Sequence, residues 1–252
     1  MRKISNVLRA ASCCTFSLLM CLPTAGQDAW SQADCVTLLD STAVTVEPNG
    51  SGSFAVYRSF RVQTPKGAVN NHVIKYDYDP LTAFARFKQV TLQRANGETV
   101  QVDVTKTCDY AAPARAIYWG ARQIMIELGS LEPGDTVSYE ISKKGFTYAL
   151  LAGGEDDDTR FIPPMRGQFY DIVPFWVDQP TRRKVYTVSM PMEKELQFQF
   201  YNGACASSMR YEDGRKVYTF AKNEVLPFGR EPNMVDLFDE APKLMMSSTP
   251  RW

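Results

Sequence analysis

The sequence contains little histidine, and His72 is the single one among 252 residues. Histidine is the side chain most often used for acid–base catalysis near neutral pH, so mechanisms that need it have one position to use. His72 follows two asparagines at the start of a predicted strand, where a partly buried or edge side chain is the expected role. We therefore predict that this chain has no catalytic residues.

Glycine-rich phosphate loops, paired-cysteine zinc spacings and internal repeats are also absent from the sequence. Phosphate sites need main-chain amides that wrap the anion, and zinc sites need thiolates that converge on one ion. We therefore expect neither a cofactor nor a bound metal.

Long apolar runs are missing except near the start of the chain. Residues 10–22 are largely apolar and uncharged, follow three basic residues, and precede the small residues of the segment 23–26. This order is typical of a secretory signal peptide, and the run is too short for a membrane anchor. We predict that residues 1–26 are a signal peptide and that the protein is exported, to the periplasm or the outer surface. Cys21 at the end of the run leaves lipoprotein anchoring as a less favoured alternative.

An excess of charge of one sign is absent too, since 28 basic residues oppose 28 acidic ones. Removal of the signal peptide takes three basic residues and no acidic one, which leaves 25 against 28, or −3. A nucleic-acid-binding protein needs a clustered positive face, so we expect no nucleic acid partner. No second apolar run has membrane length, so we expect no transmembrane segment.

Cysteine is too sparse for a disulfide scaffold. Three of the six cysteines lie in the predicted signal peptide, and Cys35, Cys108 and Cys205 remain, widely separated along the chain. One disulfide with a leftover thiol and three free thiols are both compatible with an odd number. The sequence leaves their pairing open.

Alternating polarity is the strongest structural signal that is present. Residues 122–144 contain two alternating runs, RQIMIEL and TVSYEIS, joined by a loop with Pro133, Gly134 and Asp135. A period of two predicts strands with one buried face, and the loop residues favour a turn. We predict that the two strands form an antiparallel hairpin at the centre of a sheet.

Three further hairpins are predicted where turn residues separate alternating runs. They span residues 35–62, 90–104 and 208–220. Asn96-Gly97 at the tip of the second hairpin favours a type I′ turn, and Asp213-Gly214 marks the turn of the third.

The spacing of the strands indicates the fold class. Strand candidates recur about every 8 to 12 residues, and no window shows a long helical period. We therefore predict an all-β fold, an antiparallel β-sandwich of two facing sheets, over residues 33–228. Strand signals fade beyond Leu226, so residues 229–252 are predicted to be an irregular C-terminal tail or linker.

The richest candidate binding surface is the segment from residue 160 to residue 176, which is dense in aromatic residues and prolines. Aromatic rings suit the faces of sugars, and arginine with aromatic residues is common at protein interfaces. The alternative is that alternate aromatic side chains belong to the core and the prolines mark a crossover at a sheet edge. The candidate ligand- or partner-binding residues are Arg160, Phe161, Arg166, Tyr170, Phe175, Trp176 and Trp119.

Four separated segments resemble one known family. They are YDYDP (76–80), ARAIYWGARQ (114–123), KKGFTYALL (143–151) and FIPPMRG (161–167). From about Asp34 onward the chain is similar to the exported bacterial domain of unknown function 3857, which usually stands N-terminal to a transglutaminase-like core. The resemblance implies an antiparallel β-sandwich with an accessory role beside a cysteine-dependent domain, and it brings no catalytic residues. The transglutaminase-like core itself is absent from this sequence.

Three hypotheses for the function differ in class. The favoured one is a non-catalytic exported accessory module that binds a protein or peptide, or packs against a transglutaminase-like domain. The alternative is a carbohydrate-binding module that uses the aromatic residues between Phe161 and Trp176. The third is a thiol enzyme that pairs Cys108 or Cys205 with His72, although no histidine follows Cys205 and the Cys-His-Asp order of transglutaminase-like enzymes is missing.

Overall fold

Most of the described elements of the chain are β-strands. The computed structural model describes residues 29–112, 120–147, 166–229 and 233–249. Its helical segments are short and include Pro65–Asn70 and Leu237–Glu240. The strands are β1 (Cys35–Val46), β2 (Gly52–Val62), β3 (Val73–Tyr78), β4 (Ala83–Gln93), β5 (Thr99–Gln101), β6 (Cys108–Ala111), β7 (Arg122–Glu127), β8 (Thr136–Gly145), β9 (Tyr170–Pro174), β10 (Thr181–Pro191), β11 (Gln197–Tyr201), β12 (Ala206–Glu212), β13 (Arg215–Val225) and β14 (Lys243–Ser247). The predicted all-β class is confirmed.

Eight of the strands form one large sheet in the order β12-β13-β10-β1-β2-β8-β4-β5. Neighbouring strands are antiparallel except β1 and β10, which pair in parallel with Val44 opposite Val188. Two three-stranded antiparallel sheets, β11-β14-β9 and β3-β7-β6, cover one face of the large sheet. The predicted sandwich is therefore present, but its second layer is divided into two sheets.

Each small sheet encloses its own hydrophobic core against one half of the large sheet. In the first core, Ile124 and Ile126 of β7 cluster with Ile141 of β8, and each is at most 2% exposed. In the second core, Leu244 and Met246 of β14 cluster with side chains from β1, β10 and β13. Full burial of one aliphatic side chain contributes about 1.5–3 kcal/mol, so these two cores hold the layers together.

The hairpin predicted for residues 122–144 is wrong, although both of its strands exist. β7 pairs with β3 and β6, whereas β8 pairs with β2 and β4 in the large sheet. The connection crosses between the layers and buries Leu131. Asp135 holds this connection, because its carboxylate accepts hydrogen bonds from Arg94 Nη1 and from the Glu132 amide, each at 2.9 Å. Alternation predicts which face of a strand is buried but not which layer the strand joins.

The hairpins at residues 35–62 and 208–220 are confirmed by the pairing of β1 with β2 and of β12 with β13. In the second of these, Asp213 and Gly214 have φ angles of 48° and 69°. A type I′ turn requires positive φ at both central residues, so the turn chemistry read from the sequence is the one found.

The hairpin at residues 90–104 also forms, as β4 with β5, but without the predicted type I′ turn. Gly97 has a φ of 89°, whereas Asn96 does not have positive φ. The Arg94 amide donates to the Glu98 carbonyl at 2.8 Å and closes a longer loop. A three-residue loop needs one left-handed residue at its end, which the glycine supplies.

The C-terminal tail, predicted to be irregular, contains a central strand. β14 pairs with β11 on one side and with β9 on the other, and its Leu244 and Met246 are fully buried. The segment KLMMS lacks the β-branched and aromatic residues that mark most strands, which is why the pattern missed it. The sandwich therefore extends past residue 228 to residue 247.

The first 26 residues lie outside the described part of the chain, so the signal peptide stays a prediction. Within the described ranges, no helix has the length and apolarity needed to cross a membrane.

Candidate functional site

The predicted binding segment is described only in part. Arg160, Phe161 and Trp119 lie outside the described residues, so their role stays a prediction. Arg166 is exposed, and Tyr170 is half-buried at the start of β9. These two side chains remain accessible to a partner.

The aromatic residues that end this segment have different surroundings. Phe175 is fully buried and packs edge-on against Phe200, with 5.1 Å between ring centroids, so its predicted place in a ligand groove is wrong. Trp176 is half-buried and packs edge-on against Phe238 at 4.8 Å. Successive side chains of an extended segment point to opposite faces, so these two neighbours do not share one groove. For Phe175, the core alternative is the one that the structure shows.

A row of polar and charged side chains crosses the inner face of the large sheet, which is the face that the small sheets cover. Tyr139, Arg58, Asp40 and Lys184 lie opposite one another on β8, β2, β1 and β10. Arg58 Nη2 and Lys184 Nζ both donate to Asp40 Oδ2, at 2.9 and 2.8 Å. The side chains of Asp40 and Lys184 are 8% and 14% exposed, whereas that of Arg58 is 41% exposed. We call these four residues the charged row.

In the charged row, two cations share one carboxylate. Desolvation raises the pKa of Asp40, but the positive charges and hydrogen bonds of Lys184 and Arg58 outweigh it, so the pKa of this carboxyl lies below its ordinary value. Desolvation acts to lower the pKa of Arg58, and its interactions with Tyr139 and Asp40 raise that pKa overall. Asp40 and Arg58 are therefore ionised at neutral pH, which suits a structural ion pair better than proton transfer.

A second cluster of hydrogen-bonded polar side chains lies between the two cores. Asp171 of β9 accepts hydrogen bonds from Thr147 Oγ1 at 2.7 Å and from the hydroxyl of the buried Tyr186. Val56 of β2 packs against both cores and so marks their boundary. Desolvation and the negative charge of Asp171 raise the pKa of Tyr76, on β3, to about 12. In the described part of the chain, every buried polar side-chain atom has a hydrogen-bond partner, so the polar interior is satisfied.

The three cysteines that follow the predicted signal peptide are free thiols. Cys35 is buried, Asn71 Nδ2 donates to its Sγ at 3.3 Å, and desolvation raises its pKa to about 11. Desolvation also raises the pKa of Cys205. Because the thiolate is the nucleophile, Cys35 and Cys205 are poorly activated at neutral pH. Cys108 is exposed on β6.

His72 is exposed, and its Nδ1 lies 2.5 Å from the carbonyl oxygen of Val69. It immediately precedes β3, which covers the first core, whereas Cys205 packs against the second core. The fold therefore places these two candidate catalytic residues over different cores. Among the residues that the structure describes, no group of three or more histidine, cysteine or acidic side chains is arranged to hold a metal ion.

One lateral side of the sandwich leaves apolar side chains uncovered, where β11 and β12 are the edge strands. Phe198 of β11 is 43% exposed, although its ring packs edge-on against Phe220 at 4.8 Å. Met209 and Tyr211 of β12 are 46% and 63% exposed. Met209 is paired with the core residue Tyr218, so the side chains of Met209 and Tyr211 lie on the same face of the large sheet as the second core. We call Phe198, Met209 and Tyr211 the open edge.

Sequence reasoning missed both the open edge and the charged row. Met209 and Tyr211 lie on the inner face of the large sheet, which the small sheets cover elsewhere. Only the order of the strands shows that β12 is at the edge, where these two side chains stay exposed. The charged row joins Asp40 to residues 18 and 144 positions away, which no local pattern links. One signal was present, because Asp40 is the only charged residue in the strand-forming run CVTLLDSTAVTV.

Solved structures with a similar fold include longer proteins. A putative protease from Parabacteroides distasonis matches with a TM-score of 0.66 at 15% identity, and the match covers 86% of this chain and 41% of that chain. An M1 zinc metallopeptidase from Deinococcus radiodurans matches with a TM-score of 0.42 at 15% identity, over 86% of this chain and 42% of that chain. The first match establishes a shared fold, and the second is too weak to support an argument. The chain thus spans less than half the length of these proteins.

The family assignment rests on sequence rather than on these structures. No curated protein matches the chain. The model of a domain of unknown function, DUF3857, matches residues 48–228, a range that includes most of the large sheet. The resemblance inferred from the four sequence segments is thereby confirmed, while the association with a transglutaminase-like core stays a prediction. The chain belongs to the DUF3857 family of domains of unknown function.

Proposed function

We propose that this chain is a non-catalytic, exported accessory module that binds a protein or peptide, or packs against a transglutaminase-like catalytic domain. The observation that carries the proposal is the open edge, where the side chains of Phe198, Met209 and Tyr211 remain exposed. The buried polar side-chain atoms of the described residues, by contrast, already have hydrogen-bond partners within the chain. Clustered apolar side chains at a surface are typical of interaction sites.

The fold comparison supports a role beside another domain. In the protein from Parabacteroides distasonis, this fold accounts for 41% of the chain, so the same architecture occurs there joined to a larger remainder. A domain that shares a chain with another unit usually contacts it through a partly polar interface of moderate size.

The titratable groups support the non-catalytic part of the proposal. Asp40 and Arg58 are ionised and engaged with each other, and the pKa values of Cys35 and Cys205 are raised. An activated nucleophile needs a lowered pKa or an adjacent base, and His72 lies over the other core from Cys205.

The direct test combines a turnover assay with a binding assay. The purified chain should release no product from peptide or amide substrates, and it should bind a separately supplied transglutaminase-like domain in isothermal titration calorimetry. Turnover that disappears in Cys205→Ala or in Cys108→Ala would refute the non-catalytic assignment. Export is tested separately, by mass spectrometry of the mature N-terminus, which we expect after residue 26.

The carbohydrate-binding alternative loses part of its basis, because Phe175 is in the core and the ring of Trp176 packs against Phe238. Trp176→Ala is therefore expected to lower the thermal unfolding temperature rather than to affect retention on a glycan array. Lost retention with unchanged stability would instead favour the carbohydrate-binding module.

A further inference from the structure

The open edge has the main-chain features of a site for strand addition. β12 terminates the large sheet, and all seven of its residues are exposed. Along its outer side, β12 has no strand partner within the described ranges. Proteins usually protect such edges with prolines, bulges, inward-pointing charges or short length. β12 contains no proline and pairs with β13 without a register shift, whereas β5 at the opposite edge has three residues.

The side chains of β12 make one side of this edge apolar. Met209 and Tyr211 are on the face of the large sheet that the small sheets cover, and Phe198 of β11 belongs to the facing layer. Arg210 and Glu212 alternate with them, point to the opposite face, and pair with each other at 2.8 Å. The charged side chains of β12 thus lie on the outer face, and the inner face of this strand presents apolar side chains at positions 209 and 211.

Lys222 determines which charge we expect on a partner at one end of this edge. It lies opposite Lys184 in the pairing of β13 with β10, so it is on the inner face, and its positive charge acts on the nearby Cys205 just before β12 begins. Lys222 has no ion-pair partner among the described residues, whereas Glu195 near the other end of β12 is paired with Lys216. A carboxylate is therefore the group that complements the Lys222 end.

We propose that the open edge binds an extended segment of a partner protein, which pairs with β12 as a ninth strand of the large sheet. Alternate apolar side chains of this segment pack against Phe198 and Met209, and a carboxylate of the segment lies beside Lys222. Main-chain hydrogen bonds provide affinity in this mode of recognition, and the alternate side-chain positions provide selectivity. The inference rests on the proposed partner-binding function and specifies the conformation and chemistry of the partner.

The test uses the full chain and labelled, capped seven-residue peptides that have valine at alternate positions and threonine between. One set carries aspartate at either end, and a matched set carries lysine. Fluorescence anisotropy should show binding of an aspartate peptide that Met209→Lys weakens at least about tenfold, because an inward charge blocks strand addition. Ser208→Lys makes the same charge change on the opposite face of β12 and should alter the dissociation constant less than about threefold.

Two further readouts separate strand addition from non-specific apolar contact. Lys222→Glu should reverse the preference, so that a lysine peptide binds more tightly than its aspartate counterpart. In hydrogen exchange, the bound peptide should protect amides of β12 and leave those of β5 unchanged. Circular dichroism is expected to show that the three variants are folded, since Ser208 and Met209 are exposed and Lys222 is at the partly exposed end of the sheet.

The possible results decide between distinct conclusions. Absence of binding by every peptide, or binding that Met209→Lys leaves unchanged, would overturn the proposal. Self-association that Met209→Lys abolishes in sedimentation experiments would identify a second copy of the chain as the occupant and would also overturn it. If a transglutaminase-like domain binds the Met209→Lys and Ser208→Lys variants equally well, the proposed function stands and the interface lies elsewhere.

Discussion

Replacement of Asp40 by asparagine tests the energetics of the charged row. Asparagine keeps the shape of the side chain but removes the negative charge that neutralises Lys184, whose side chain is 14% exposed. Removal of one partner from a buried ion pair costs about 3–5 kcal/mol. Arg58 is 41% exposed, so solvent screens its charge, and we assign the cost to Lys184 alone, at about 3 kcal/mol. In a protein of this size, that loss lowers the unfolding temperature by about 6–12 °C.

The same carboxylate makes the stability depend on acid. Asp40 has a folded-state pKa below its ordinary value of 3.8, so the folded chain binds fewer protons at this group than the unfolded chain does. Its stabilising contribution is therefore fully present above the unfolded pKa and is lost as the pH falls through the folded pKa. Asp40→Asn is expected to remove this part of the decline in stability below about pH 4.

Urea denaturation at pH 7 and at pH 3 measures both effects. Glu224→Gln is the matched control, because it breaks an ion pair with Arg182 in which both side chains are more than half exposed, and it should cost less than about 1 kcal/mol. The double variant Asp40→Asn/Lys184→Met should be more stable than Asp40→Asn, since it leaves no unpaired buried cation. A loss below about 1 kcal/mol for Asp40→Asn, or no recovery in the double variant, would refute the reasoning.

The remaining predictions concern packing and accessibility. Gly50→Ala should cost about 2–4 kcal/mol in urea denaturation, because Gly50 has a φ of 89° and a methyl group would lie 2.4 Å from the Gln168 carbonyl oxygen. Gly97→Ala, with the same φ and no atom within 4 Å, should cost only about 1 kcal/mol, and equal costs would contradict the packing argument. A chain that ends at residue 228 should lose its cooperative calorimetric transition, because it lacks the central strand of one small sheet. Thiol labelling at pH 7 should be fast at Cys108 and slow at Cys35, whose pKa is about 11, and rapid labelling of Cys35 would contradict its burial.

Much of the strand inventory could be predicted from the sequence, because alternation and turn residues act over a few positions. The turn at Asp213-Gly214 shows this, since two residues that tolerate positive φ are enough to specify it. Asn96-Gly97 carries an equally strong signal but forms a different loop, because a three-residue loop also needs a left-handed glycine at its end. Local chemistry therefore restricts the turn without always selecting its type.

The candidate site was much less predictable than the strands. The aromatic segment pointed to Phe175 as a binding residue, yet the position of β9 over the second core buries this ring. The exposure of Met209 and Tyr211 depends on β12 being the last strand of the large sheet, which is set by pairings far away in sequence. The alternation of polarity along a strand is thus a local property, whereas the accessibility of a side chain depends on which strand or layer lies beside it.

The sequence by itself determined the all-β class, the positions of most strands and the DUF3857 resemblance, because each rests on short segments that can be recognised one at a time. Only the tertiary structure decided that β7 and β8 join different layers, that β1 and β10 pair in parallel, and that β14 is a central strand. These features depend on contacts between residues far apart in the chain, and the free energy of such contacts comes from burial in a shared core rather than from local preference.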